Sequence, residues 1–203
     1  MNSTVIRVTQ SKTGLFLLVV LLLSPIILFW PGWILDDSGF MLNSLKNNPF
    51  PFLNMSGGDR FFPLTWVGHG FVSFLSFSPV VFFIYNFLLA LASVSILLLL
   101  CSYCFPKFRI LPIIIIFTPC FVASHYIITA NEKESLFLWS LFLLLFLLPI
   151  AKNPAKPSRW IFLSILPADL ALYFKEPSFV MLGTFAIVWF IRHRFNGKKT
   201  HEL

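Results

Sequence analysis

Long apolar runs alternate with short polar breaks along the chain, and the runs have the length of a lipid bilayer. Residues 14–35 and 110–130 are uncharged over 22 and 21 positions, and residues 135–151 over 17. Two further stretches, 160–174 and 177–191, contain 15 residues each and flank Lys175 and Glu176. A hydrocarbon core of about 30 Å needs about 20 helical residues. The pattern predicts an all-α, polytopic membrane protein.

The run from 61 to 106 is ambiguous, because its 46 residues without Asp, Glu, Lys or Arg could cross once or twice. Charge placement decides. With a single crossing near 79–105, eleven basic residues fall on one side of the membrane and four on the other (Lys46, Arg60, Lys133 and Lys175). Two crossings reverse that ratio. Cytoplasmic loops carry the excess of Lys and Arg, so one crossing is expected, with residues 61–78 lying in the outer interface.

The expected architecture is one domain over 1–203 with about six transmembrane helices, near 14–35, 79–105, 110–130, 135–151, 160–174 and 177–192. An outer loop containing an interfacial helix occupies 36–78, and both termini are cytoplasmic. A bacterial inner membrane is the expected location. The basic residues before the first run resemble a signal peptide. The 22 uncharged positions lack a small-residue cleavage site, so an uncleaved first span is expected.

Composition agrees. The chain is 58% hydrophobic and 11% charged, with 26 Phe. Soluble domains carry roughly 25% charged residues, too many for this sequence to match with a wet surface. The net charge of +7 would suggest nucleic acid in a soluble chain. Here the cations sit between apolar runs and read as orientation signals and contacts to membrane lipids, not nucleic acid. Cys101 and Cys104 form a C-x-x-C without a second ligand pair, and read as helix-packing residues.

The acids sort separately. Asp36, Asp37, Asp59, Glu132, Glu134 and Glu176 all fall in outer loops, whereas insertion rules depend little on acids. The first outer loop opens with Asp36-Asp37, and adjacent like charges raise one another's cost near a membrane. Such a pair suits a cation, a substrate hydroxyl or a catalytic duty; it also suits a solvated loop start in which Asp36 caps a short helix. Residues 61–78 hold Trp66, His69 and five Phe, as expected of a segment at the membrane boundary. His69 reads there as an interfacial histidine or a substrate contact. The final hairpin is short, since 15 helical residues rise only about 22 Å. Its tip, Lys175-Glu176, is therefore expected below the outer surface, with Asp169 deeper still, as functional groups or as a structural ion pair. Arg60 and Lys175 suit a phosphate, and a neighbouring carboxylate suits deprotonation of a hydroxyl.

On Asp36-Asp37 after the first span, Gly58-Asp59-Arg60-Phe61-Phe62-Pro63 before the interfacial segment, and Asn131-Glu132 at the next outer tip, the chain resembles the GT-C superfamily of membrane glycosyltransferases. That superfamily includes the protein mannosyltransferases and aminoarabinose transferases. The resemblance covers about residues 15–173. It implies transfer of a sugar from a polyprenyl-phosphate carrier on the extracytoplasmic side. Asp36 or Asp37 would be the base or a ligand of a divalent metal ion, and Glu132 the second acid. Arg60 or Lys175 would hold the carrier phosphate. Apart from the resemblance, Glu176 and His69 are read as further substrate contacts. The family core has about seven spans. Six imply a truncated member, one that works with a membrane-protein partner, or a relative without activity. A small transporter or flippase-like subunit built on the deep charges, and a non-catalytic membrane scaffold, are the two other classes that fit.

Overall fold

The computed structural model describes residues 11–28, 64, 67–126, 132–152, 159–174 and 177–196. Among them all regular structure is helical and no strand occurs. Two helices are long and apolar enough to cross a membrane, and three if one bent pair counts as a single span. Large apolar side chains such as Leu17, Leu88, Phe162 and Val180 are exposed around the bundle, as an apolar solvent requires.

Helix α1 (Lys12–Leu23) starts where the Ser11 hydroxyl accepts the Gly14 amide at 3.2 Å, satisfying one of the free N–H groups of a helix start. Pro25 opens the short α2 (Pro25–Leu28) directly after Ser24. Leu15, Val19, Leu23 and Ile26 form one buried stripe along this rod. The stripe packs on α4 (Pro79–Cys104), which follows α3 (Val67–Leu75) and the non-helical residues 76–78. Ser78 is extended and Pro79 occupies the first turn of α4, where its missing N–H costs nothing. Twenty-six residues rise about 39 Å, more than the hydrocarbon core.

A single 3₁₀ turn (Pro106–Phe108) leads to α5 (Leu111–Ile115) and α6 (Pro119–Tyr126), which meet at 56°. Thr118-Pro119 explains the bend. Pro119 lacks the amide that would continue the ladder, while Thr118 Oγ1 donates to the Ile115 carbonyl at 2.8 Å and accepts the Phe121 amide at 3.3 Å. Helix α7 (Glu132–Lys152) carries Glu132 and Glu134 in its first turn and Lys152 in its last, the order that the helix dipole favours.

The most extensive helix pairing is α4 with α7. Small buried residues on both (Ala90 and Ser93; Ser135 and Ser140) allow the close approach typical of membrane helices. A second break separates α8 (Arg159–Leu163) from α9 (Ile165–Leu172). Pro167 clashes with the carbonyl four residues back, and Ser164 Oγ caps the Ile161 carbonyl at 2.6 Å. The last helix, α10 (Pro177–Asn196), packs Phe185 edge-on against Phe142 at 5.1 Å and Phe146 at 5.4 Å. Two clusters result: an aliphatic and aromatic core around α1, α4, α5 and α6, and an aromatic one around α7, α9 and α10.

Candidate functional site at the head of α4 and α7

Polar groups gather where α4 and α7 begin. From α3, His69, Gly70, Val72 and Ser73 face inward, while Phe71, Phe74 and Leu75 face out. Gly68 brings the α3 backbone against Tyr85 and Glu134. A Cβ at Gly68 would overlap the Tyr85 hydroxyl and lie 3.2 Å from Glu134 Oε1. Beneath this contact Tyr85 donates a hydrogen bond of 3.1 Å to Glu134 Oε1. His69 Nδ1 lies 3.8 Å from the same oxygen, within ion-pair range when the ring is protonated. The His69 ring stacks on Phe82 and meets Tyr85 edge-on, each at 6.2 Å. Glu134 is 4% exposed and its Oε2 has no hydrogen-bond partner among the described residues. Lys133, next in the chain, is fully buried.

One residue along α4, Asn86 donates to the His125 carbonyl at 3.0 Å and so ties α4 to the end of α6. His125 is fully buried and stacks on Phe121 at 4.1 Å. Its Nδ1 lies 2.8 Å from the Phe121 carbonyl. A carbonyl only accepts, so Nδ1 carries the proton and Nε2 presents its lone pair.

Two contacts bring further segments to this end of the bundle. The Leu64 amide donates to the Tyr173 carbonyl at 3.3 Å, joining the approach to α3 to the end of α9. Ser135 and Ser178 share a hydrogen bond of 2.7 Å, joining the first turns of α7 and α10. Four stretches that are distant in sequence therefore meet: the start of α3, the upper part of α4, the first turn of α7, and the residues on either side of 175–176.

Of the residues singled out in the sequence, Asp36, Asp37, Arg60, Lys175 and Glu176 lie outside the described residues. His69 and Glu132 are described. His69 is brought to the acid Glu134, while Glu132 is exposed at the first position of α7. Asp169 is also exposed, on the face of α9 opposite buried Pro167, Ala168 and Ala171. Tyr85, Asn86, His125 and the buried role of Glu134 were missed. The available signal was Tyr85-Asn86, an adjacent pair of hydrogen-bonding side chains early in an uncharged 26-residue helix. Among the described residues no group of three or more His, Cys, Asp or Glu could hold a metal ion. Asp36 and Asp37, whose alternative role is that of metal ligands, fall outside them. Cys101 and Cys104 are partly buried at the far end of α4, where Lys152 sits 5.2 Å over the Tyr103 ring.

No family model, curated protein or solved structure matches the chain.

Proposed function

We propose that the chain is a membrane glycosyltransferase that moves a sugar from a polyprenyl-phosphate carrier to a hydroxyl acceptor on the extracytoplasmic side of a bacterial inner membrane. In this reading six spans place both termini in the cytoplasm, and the head of α4 and α7 faces outward. One observation supports it above the others. The interfacial segment and the α7 tip, named separately by the family resemblance, meet at Tyr85, His69 and Glu134. Leu64–Tyr173 and Ser135–Ser178 bring the flanks of Lys175-Glu176 to the same end.

The chemistry asks little of the protein beyond placement and charge. The acceptor oxygen forms a bond to the sugar's anomeric carbon as the carbon–oxygen bond to phosphate breaks. The phosphate leaves with the electron pair, and Asp36 or Asp37 takes the acceptor proton. Arg60 and Lys175 hold the carrier phosphate, a role suited to cations in a partly dehydrated site. Glu132 supports that base as the second acid, and Glu176 and His69 serve the substrate side. The burial of Lys133 beside Glu134 favours a second reading, a small carrier whose deep charges line a substrate path.

The test uses full-length chain reconstituted in liposomes with undecaprenyl-phosphate-linked glucose, mannose or aminoarabinose, and follows release of undecaprenyl phosphate. Asp36→Asn or Asp37→Asn is expected to lower turnover by about 10² to 10⁴ with unchanged protein level, the usual cost of losing a general base. Wild-type rates in both variants, or no turnover of any donor by folded protein, would sink the transferase reading.

A further inference from the structure

We propose that the end of the bundle opposite Glu134 holds the head group of an anionic phospholipid, between the cations that follow α4 and those that end α7 and open α8. The inference goes beyond the transferase reading and does not depend on it.

The two long helices run in parallel and keep step. At one end Tyr85 of α4 meets Glu134 of α7, and at the other Lys152 Nζ lies 5.2 Å over the Tyr103 ring. Eighteen positions separate the two contacts on both helices, a rise of about 27 Å. That is close to the hydrocarbon thickness of about 30 Å, and these are the two helices long and apolar enough to cross it. With Glu134 at one boundary of the core, Lys152 reaches the other, the level of the lipid phosphates.

Cations gather at that level. Lys107 lies in the 3₁₀ turn after α4 and Arg109 just beyond it, while Lys152 ends α7 and Arg159 opens α8, which packs on α7. Lys107, Lys152 and Arg159 are exposed, and none of these four cations makes an ion pair with a described residue. Nor is an acid close in sequence, since positions 60–131 and 135–168 contain no Asp or Glu. Helix dipoles do not account for the group. A helix C-terminus carries about half a negative charge, and Arg159 stands at a helix start, the end that favours anions. The Tyr103 ring meets one side of the Lys152 ammonium and leaves others of its N–H donors for an oxyanion.

Apolar side chains among the cations select a lipid over a soluble anion. Phe105, Phe108 and Leu111 are exposed on either side of Lys107 and Arg109. A free phosphate or an acidic soluble protein uses the cations alone. A phospholipid lays its acyl chains on this apolar surface while its phosphate takes the cations. A zwitterionic head group brings a cation of its own into a cationic site, whereas a net anionic one does not.

The experiment reads lipid choice and requires no turnover. Full-length protein in nanodiscs of equal parts phosphatidylglycerol and phosphatidylcholine is released for native mass spectrometry, and the ratio of the two lipids still bound is measured. Preferential retention of phosphatidylglycerol is expected. Lys107→Gln combined with Lys152→Gln is expected to lower the ratio about twenty-fold, since each basic residue at a membrane surface contributes a preference of about fivefold. Lys198→Gln combined with Lys199→Gln removes the same charge elsewhere in the sequence and should leave the ratio unchanged. A second measurement needs no variant: short-chain phosphatidylglycerol should protect Lys107 and Lys152 of the detergent-solubilised protein from acetylation, whereas short-chain phosphatidylcholine or inorganic phosphate should not. The inference is overturned by equal retention of the two lipids, by an equal drop in the Lys198/Lys199 pair, by no protection of Lys107 and Lys152, or by equal protection from phosphatidylcholine or inorganic phosphate.

Discussion

At Gly68 the absence of one methyl group decides how closely α3 can approach the buried pair beneath it. An alanine there would overlap the Tyr85 hydroxyl and press toward Glu134 Oε1. Gly68→Ala is expected to destabilise the protein by about 1–3 kcal/mol, the usual cost of overpacking. Tyr85→Phe removes only the hydrogen bond to Glu134 and is expected to cost about 0.5–1.5 kcal/mol. Thermal unfolding in detergent, followed by the fluorescence of a thiol-reactive dye, gives the order; a larger loss in Tyr85→Phe than in Gly68→Ala would refute it. This scale was the least legible in the sequence. Tyr85 and Glu134 are 49 residues apart, and nothing local links them. The choice between Glu132 and Glu134 depends on the rotational phase of α7. That helix is apolar around most of its circumference, so the pattern could not say which acid turns inward. Two positions turn a helix by about 200°, enough to leave Glu132 exposed and Glu134 buried.

Among the elements, apolar runs gave the helices and prolines gave their interruptions. Thr118-Pro119 and Pro167 stand in the sequence in plain view, yet a mostly apolar run suggests one continuous helix until the ladder is followed residue by residue. The resulting breaks place α6 at 56° to α5 and separate α8 from α9. Helix α9 shows what a run of apolar letters hides. Its buried positions Pro167, Ala168 and Ala171 leave Asp169 on the face shared with exposed Phe162, Ile165 and Leu166. If α8 and α9 form the fifth of the proposed spans, that face meets lipid, where a carboxylate costs about 2.5–3.5 kcal/mol at mid-membrane and Leu is favourable. Asp169→Leu is therefore expected to raise the thermal midpoint of the purified protein. A drop would mean that another polypeptide covers this face of α9 and uses the carboxylate.

On the scale of the whole molecule, charge asymmetry predicts orientation, and two hydrogen bonds indicate what comes together at one end. The Ser135–Ser178 contact is the more useful for experiment, because both side chains belong to described helices and neither carries charge. With the three native cysteines replaced by serine, Ser135→Cys combined with Ser178→Cys is expected to form a disulfide under mild oxidation. Cleavage engineered between positions 153 and 158 would then leave one band without reductant and two with it. Two bands in both lanes would separate α7 from α10 and dissolve the shared site. The orientation of that site is a distinct question and is settled by reporter fusions. If the proposed single crossing of 61–106 is right, the heads of α4 and α7 face the extracytoplasmic side. Alkaline phosphatase, which matures only outside the cytoplasm, should then be active when fused after Asn47, Glu134 or Glu176, and inactive after Arg109, Pro157 or Lys199. The length of α3 supports this arrangement, since nine residues rise about 14 Å, half of what a crossing needs. The decisive fusions are those at Glu134 and Glu176. Inactivity at both, with activity at Arg109 and Pro157, would mean that residues 61–106 cross twice. Glu134 would then face the cytoplasm, where no polyprenyl-phosphate sugar is presented for extracytoplasmic transfer, and the proposed reaction would lose its site even if every contact around Tyr85 stood.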